Sequence, residues 1–177
     1  MGFRTSELSK TALCASFLCV FSVITIPIGP VPISLSLFAV LVVSIILGTK
    51  KAVTAVLIYI LLGCIGFPVF SGFGSGLQTL LGPTGGYILS YLPISFIVAT
   101  ASRKYNQSKN AVPMLISCFF ALIVGYIFGT IWYIFITSVS LSNALRICVY
   151  PFVIPDIIKC TCAVFVSKKI TTHFSTF

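Results

Sequence analysis

The chain has 177 residues, 58% of them hydrophobic and 7% charged, with a formal net charge of +9. A soluble domain carries about a quarter charged residues, so a water-soluble enzyme or binding module is excluded and an integral membrane protein is indicated. Nucleic-acid binding does not follow from the excess of base. The basic residues stand in small clusters between apolar runs, the pattern of topology signals.

At about 20 residues per span plus short loops, this length admits roughly six helices and no separate soluble domain. The expected fold is therefore all-α: a single membrane domain over 1–177, with helices near 11–26, 33–48, 52–65, 87–101, 111–137 and 155–169. The seven cysteines (14, 19, 64, 118, 148, 160 and 162) include no CxxC and no neighbouring histidine, which suits small core residues in a reduced setting. The single histidine, His173, lies in a polar tail, so neither a zinc site nor a Ser-His-Asp arrangement can be assembled. Neither catalysis nor a resident cofactor is expected.

Residues 1–10 carry Arg4, Glu7 and Lys10 ahead of the first apolar run. A basic start and an apolar stretch resemble a signal peptide, but no Ala-x-Ala exit follows, and the run passes directly into Pro27, Pro30 and Pro32 and a second apolar span. It is read as the first transmembrane helix. Ala12 and Ser16, small and one turn apart, would let another helix approach closely. The three prolines cannot share one regular helix and are expected to form a stiff connection to the second. Lys50 and Lys51 mark the next loop, and Gly66-Phe67-Pro68 ends the third helix.

Residues 66–86 (GFPVFSGFGSGLQTLLGPTGG) hold seven glycines in 21 positions and no charge. Irregular chain of that length is a functional loop or a linker, and its aromatics and leucines suit a loop lying against the bundle. Its glycines would let main chain approach a ligand, which makes Phe73, Gly74, Thr84, Gly85, Gly86 and the following Tyr87 candidate binding residues. It lacks the Gly-Lys-Ser/Thr ending of a phosphate loop, so any ATP-driven step belongs to a partner. The fourth helix ends at Arg103-Lys104, and Lys109 precedes the fifth. On that fifth helix Tyr126, Gly129 and Trp132 share one broad face, either a packing stripe or a pocket wall. A polar turn is expected over 138–146, and the last helix is expected to start at Pro155.

Six spans would place Arg4, Lys10, Lys50, Lys51, Arg103, Lys104, Lys109, Lys168 and Lys169 on one side and Arg146 alone on the other. The positive-inside rule then puts both termini in the cytoplasm. The proline segment, the glycine-rich segment and the start of the last helix would all meet at the outer face.

There lies the energetic oddity of the chain. Its two acidic residues are Glu7 and Asp156, and Asp156 interrupts an apolar run three residues before Lys159. A charge at the centre of a membrane helix costs roughly 2.5–3.5 kcal/mol on insertion scales. Asp156 in a first helical turn would be favoured by the helix N-terminus, and Lys159 shares its face. One reading is a structural ion pair. The other is recognition: a carboxylate accepts hydrogen bonds and an ammonium donates them, so together they suit adjacent N–H and C=O groups, as in a ureide, an amide or a nucleobase edge.

Several segments resemble the BioY family, the biotin-specific substrate-binding components of energy-coupling-factor (ECF) transporters. They are Gly29-Pro30-Val31-Pro32-Ile33-Ser34-Leu35, Gly66-Phe67-Pro68-Val69-Phe70, Gly82-Pro83-Thr84-Gly85-Gly86-Tyr87, Tyr126/Gly129/Trp132, and Pro151-Phe152 leading to Asp156-Ile157-Ile158-Lys159. The resemblance covers essentially the whole chain. It implies six helices, high-affinity biotin capture near the outer face of the cytoplasmic membrane, and assembly with a transmembrane coupling subunit and two cytoplasmic ATPases. It also implies that Asp156 and Lys159 bind the ureido ring, and that Ala12 and Ser16 meet the coupling subunit. Three positions depart from the family pattern: Pro155 directly precedes Asp156, Ser36 replaces a common glutamine, and Ile88 stands where some members carry an arginine for the valerate carboxylate. That carboxylate is then expected on main-chain N–H groups of the glycine-rich segment, on hydroxyls, or at longer range on Arg146. The alternatives to biotin capture are a membrane scaffold subunit with a purely structural Asp156–Lys159 pair and a component for a different vitamin.

Overall fold

The computed structural model describes residues 5–27, 31–108 and 111–174. Arg4, Lys109 and residues 28–30 of the proline segment lie outside them. Among the described residues are eight α-helices: α1 (Thr5–Val23), α2 (Ser36–Leu47), α3 (Thr49–Ile65), α4 (Gly76–Leu81), α5 (Gly85–Ser108), α6 (Ala111–Thr137), α7 (Leu141–Cys148) and α8 (Tyr150–Phe174). Four of them, α1, α5, α6 and α8, are long and apolar enough to cross a membrane, and α2 and α3 are shorter.

Polarity is turned inside out relative to a soluble protein. Leu13, Ile116, Phe135 and Phe165 are each at least 60% exposed, whereas Ser44, Ser95 and Ser102 are buried. Those three hydroxyls donate back to carbonyls of their own helices, at Val40, Leu92 and Ala99, which satisfies them inside an apolar interior, whereas the buried Ser167 hydroxyl has no partner among the described residues. The core is built on α2. Nine of its twelve residues are buried, because α1, α3, α5 and α8 surround it, and its side chains are apolar on nearly every side.

The connections differ from expectation in three places. The proline segment links the two strands of a hairpin, β1 (Thr25–Ile26) antiparallel to β2 (Ile33–Ser34), with Ile26 paired with Ile33. The glycine-rich segment is not one irregular loop. Gly66, at φ 113°, ends α3, a single 3₁₀ turn covers Ser71–Phe73, and α4 follows. Phe70 anchors it, fully buried, edge-on to Tyr59 at 5.6 Å between ring centroids and lying over Gly63. A Cβ on Gly63 would stand 2.1 Å from the Phe70 ring, so glycine here makes room for the anchor.

The third difference bears on the site. Helix α8 starts at Tyr150, not at Pro155. The Val149 carbonyl accepts the N–H groups of Phe152 and Val153, and Pro151 falls in the first turn, where no intrahelical partner is needed. Pro155 therefore deprives the helix of one hydrogen bond, the one to the Pro151 carbonyl, and α8 continues through it. Before it, the stretch expected as a polar turn includes the amphipathic helix α7, which buries Ala144 and Cys148 and exposes Arg146.

Candidate functional site

Asp156 and Lys159 are buried, 5% and 8% exposed. One helical turn brings Lys159 Nζ to 2.8 Å from Asp156 Oδ1. From α6, the Tyr126 hydroxyl donates to Asp156 Oδ2, also at 2.8 Å. Each carboxylate oxygen thus has one donor and keeps a free lone pair, and two of the three ammonium protons are not used by Asp156. Because α8 begins earlier than expected, Asp156 lies nearly two turns from its N-terminus. The helix dipole falls off within the first turn, so the expected dipole support is replaced by Lys159 and Tyr126.

The pair opens on a cavity of about 80 Å³ whose wall is drawn from the hairpin, α2, α5, α6, α7 and α8. Helix α5 contributes Tyr87, Ser90, Tyr91 and Ile94, the i, i+3, i+4, i+7 positions of one face. The hairpin contributes Ser34, whose hydroxyl lies 2.8 Å from that of Ser36. Ser36 continues to Ser22 at 2.7 Å, and Ser22 to the phenol of Tyr59 at 2.5 Å. A chain of neutral hydroxyls therefore runs from the cavity wall between α1, α2 and α3.

Of the residues singled out from the sequence, Asp156, Lys159, Tyr126 and Tyr87 line this cavity, and the others do not. Trp132 faces outward beside Phe128, Ile131 and Phe135, while its indole N–H donates to the Gly82 carbonyl at 3.0 Å. It packs over Gly86, where a Cβ would stand 2.2 Å from its own Cβ. In return Tyr87 lies over Gly129, whose added Cβ would stand 2.3 Å from the ring. Gly86 and Gly129 thus let α5 and α6 approach and aim Tyr87 inward. Phe73 is 71% exposed, and Gly74 bridges to Phe70. The Thr84 carbonyl receives the N–H groups of Tyr87 and Ile88, while Gly85 and Gly86 form the first turn of α5. Ile88 is buried in the core, and Arg146 is exposed on α7. Ala12 and Ser16 lie on the exposed face of α1, with the Ser16 hydroxyl bonded to the Ala12 carbonyl.

Sequence reasoning named Ser34 and Phe152 only within the segments that carry the family resemblance, not as site residues, and missed Ser90, Tyr91 and Cys148. The α5 residues had a usable signal, because hydroxyl-bearing and aromatic residues recur on the face that carries Tyr87. Cys148 had none, being one small apolar residue among many.

Comparison with known proteins bears on the family and the fold. A family model described as the BioY family matches residues 1–176. A protein of Pyrococcus horikoshii named a probable biotin transporter, BioY, is 34% identical over 94% of this chain and 97% of its own length. One of Lactococcus lactis, named biotin transporter BioY2, is 37% identical over 86% of this chain and 83% of its own. Among solved structures, the S-component for biotin from an ECF-type ABC transporter superposes with a TM-score of 0.88 at 28% identity, covering 97% of this chain and 95% of that one. With its long apolar helices and such relatives the chain is a multi-pass membrane protein. A match over nearly every residue, together with the shared fold, places it in the BioY family.

Proposed function

We propose that this chain is the biotin-binding, substrate-specific subunit of an ECF transporter in the cytoplasmic membrane. The single observation that carries the reading is the buried Asp156–Lys159–Tyr126 cluster on a cavity wall. The carboxylate's free lone pairs suit the two ureido N–H groups of biotin, and the ammonium suits the ureido carbonyl. Tyr87 and Tyr91 supply aromatic faces for the bicyclic rings. In this reading α1, α2, α3, α5, α6 and α8 are the six spans, both termini are cytoplasmic, and the hairpin, α4 and α7 lie toward the outer side. The coupling subunit meets α1 at Ala12 and Ser16, and two cytoplasmic ATPases drive release.

A mutually bonded pair could equally be structural, and a paired substitution separates the two roles. Removing one partner of a buried ion pair strands the other, whereas replacing both with neutral groups of similar size is often harmless. The double variant Asp156→Asn/Lys159→Met should keep the thermal stability of the parent in detergent. Its biotin affinity by isothermal titration should fall about 100-fold or more, as for loss of charge-assisted hydrogen bonds. Unchanged affinity, or loss of the folded protein, would sink the recognition role.

A further inference from the structure

The cavity has no net formal charge. Among the described residues that line it, Lys159 is the one cation and Asp156 the one anion, and they are bonded to each other. Its other side-chain polar groups are the hydroxyls of Ser34, Tyr87, Ser90, Tyr91 and Tyr126 and the Cys148 thiol. Biotin, as read above, has two polar ends: a neutral ureido ring and a carboxylate that is anionic at neutral pH. If Asp156 and Lys159 take the ring, the cavity holds no counter-charge for the tail, and burying an unpaired carboxylate is heavily penalised.

The candidate holders outside the cavity do not supply one. Arg146 and Cys148 are two residues apart on α7, about 200° around the helix. Cys148 is the α7 residue on the cavity wall, which sends Arg146 away from it, and Arg146 is exposed. In the glycine-rich segment, Phe70 N–H is engaged on the Gly74 carbonyl, Gly74 N–H on Ser71 and Gly85 N–H on Gly82, and no residue of 66–86 lines the cavity. Ile88 is buried in the apolar core. Size agrees with charge. Pockets that engulf a drug-sized ligand measure about 300–1,000 Å³, and this one, at about 80 Å³, has room for part of such a ligand only.

We propose that the site reads the ureido-bearing ring system alone and leaves the carboxyl end of the tail outside the cavity. Its substrate class then includes biotin whose carboxyl group is capped as an amide, among them the lysyl amide released when biotin-bearing proteins are degraded. The inference rests on the biotin assignment and deepens it.

Isothermal titration of the purified wild-type chain with biotin, biotinamide and biotinyl-lysine tests it without any substitution. All three should bind with dissociation constants within about threefold, whereas a charge-assisted contact to the carboxylate would make the amides about tenfold to hundredfold weaker. Biotin binding with both amides weakened by about tenfold or more would overturn the inference and leave the biotin assignment standing. Biotinamide binding tightly while biotinyl-lysine does not would overturn the exposed tail. Silence with all three would remove the biotin assignment itself, and this inference with it.

Discussion

Asp156 is gripped by two donors, and the two do different work. Lys159 neutralises it, while Tyr126, reaching across from α6, fixes which way the carboxylate plane faces. Hydrogen bonds to charged groups contribute about 1.5–3 kcal/mol, and a buried acceptor left short of a donor keeps its desolvation penalty. Tyr126→Phe should therefore lower the unfolding free energy in detergent by about 1.5 kcal/mol and weaken biotin roughly tenfold, because a carboxylate freed to rotate is no longer presented to the ring. Thermal unfolding and titration on the same preparation check both. The carboxylate and the ammonium were legible in the sequence because charge is so rare in this chain. Tyr126 was legible only as one of two roles, packing stripe or pocket wall. Its bond to Asp156 crosses between helices, and no spacing rule within α6 could reveal it.

At the scale of elements, the pairing of α5 with α6 aims the site. Each helix sets an aromatic over a glycine of the other, Trp132 on Gly86 and Tyr87 on Gly129. Small residues at such contacts let membrane helices approach without hydrophobic drive, since lipid is as apolar as the partner. Gly129→Ala places a Cβ 2.3 Å from the Tyr87 ring, and overpacking of this kind costs about 1–3 kcal/mol. The expected result is a lower melting temperature together with weaker biotin binding, because Tyr87 is displaced from the cavity wall. Ile123→Ala, on the exposed side of the same helix, should change neither. The tight approach explains why Trp132 does not reach the cavity despite sharing a face with Tyr126 in sequence. Its ring is spent on covering Gly86 and its N–H on Gly82.

For the whole molecule, the proposed binding cavity and the proposed coupling face occupy different parts of the bundle. The cavity lies among the hairpin, α2, α5, α6, α7 and α8, whereas Ala12 and Ser16 face outward from α1. Helix α1 is tied to the rest by its packing on α2 and α3, by the Glu7–Lys51 ion pair, and by the hydroxyl chain from Ser22 to Ser34. If α1 is the coupling face, Ala12→Trp should leave biotin affinity of the isolated chain unchanged and abolish ATP-driven uptake of labelled biotin once the other subunits are present. Uptake at the parental rate would remove α1 from the interface.

Composition, the cation clusters and the three-residue spacing of Asp156 and Lys159 were enough to establish a membrane protein with a charged centre, because so apolar a surface is costly in water, while charge is costly in a bilayer and therefore stands out where it interrupts an apolar run. Tertiary structure alone decided which neutral residues surround that centre. Helices as apolar on the lipid side as on the core side carry almost no amphipathic signal to say which face turns inward. Tyr91 and Ser34 are therefore brought in and Trp132 is turned out by packing of whole helices against one another. The start of α8 at Tyr150 was decided in the same way. A proline forbids one hydrogen bond, and whether a helix ends there or runs on depends on what its neighbours bury.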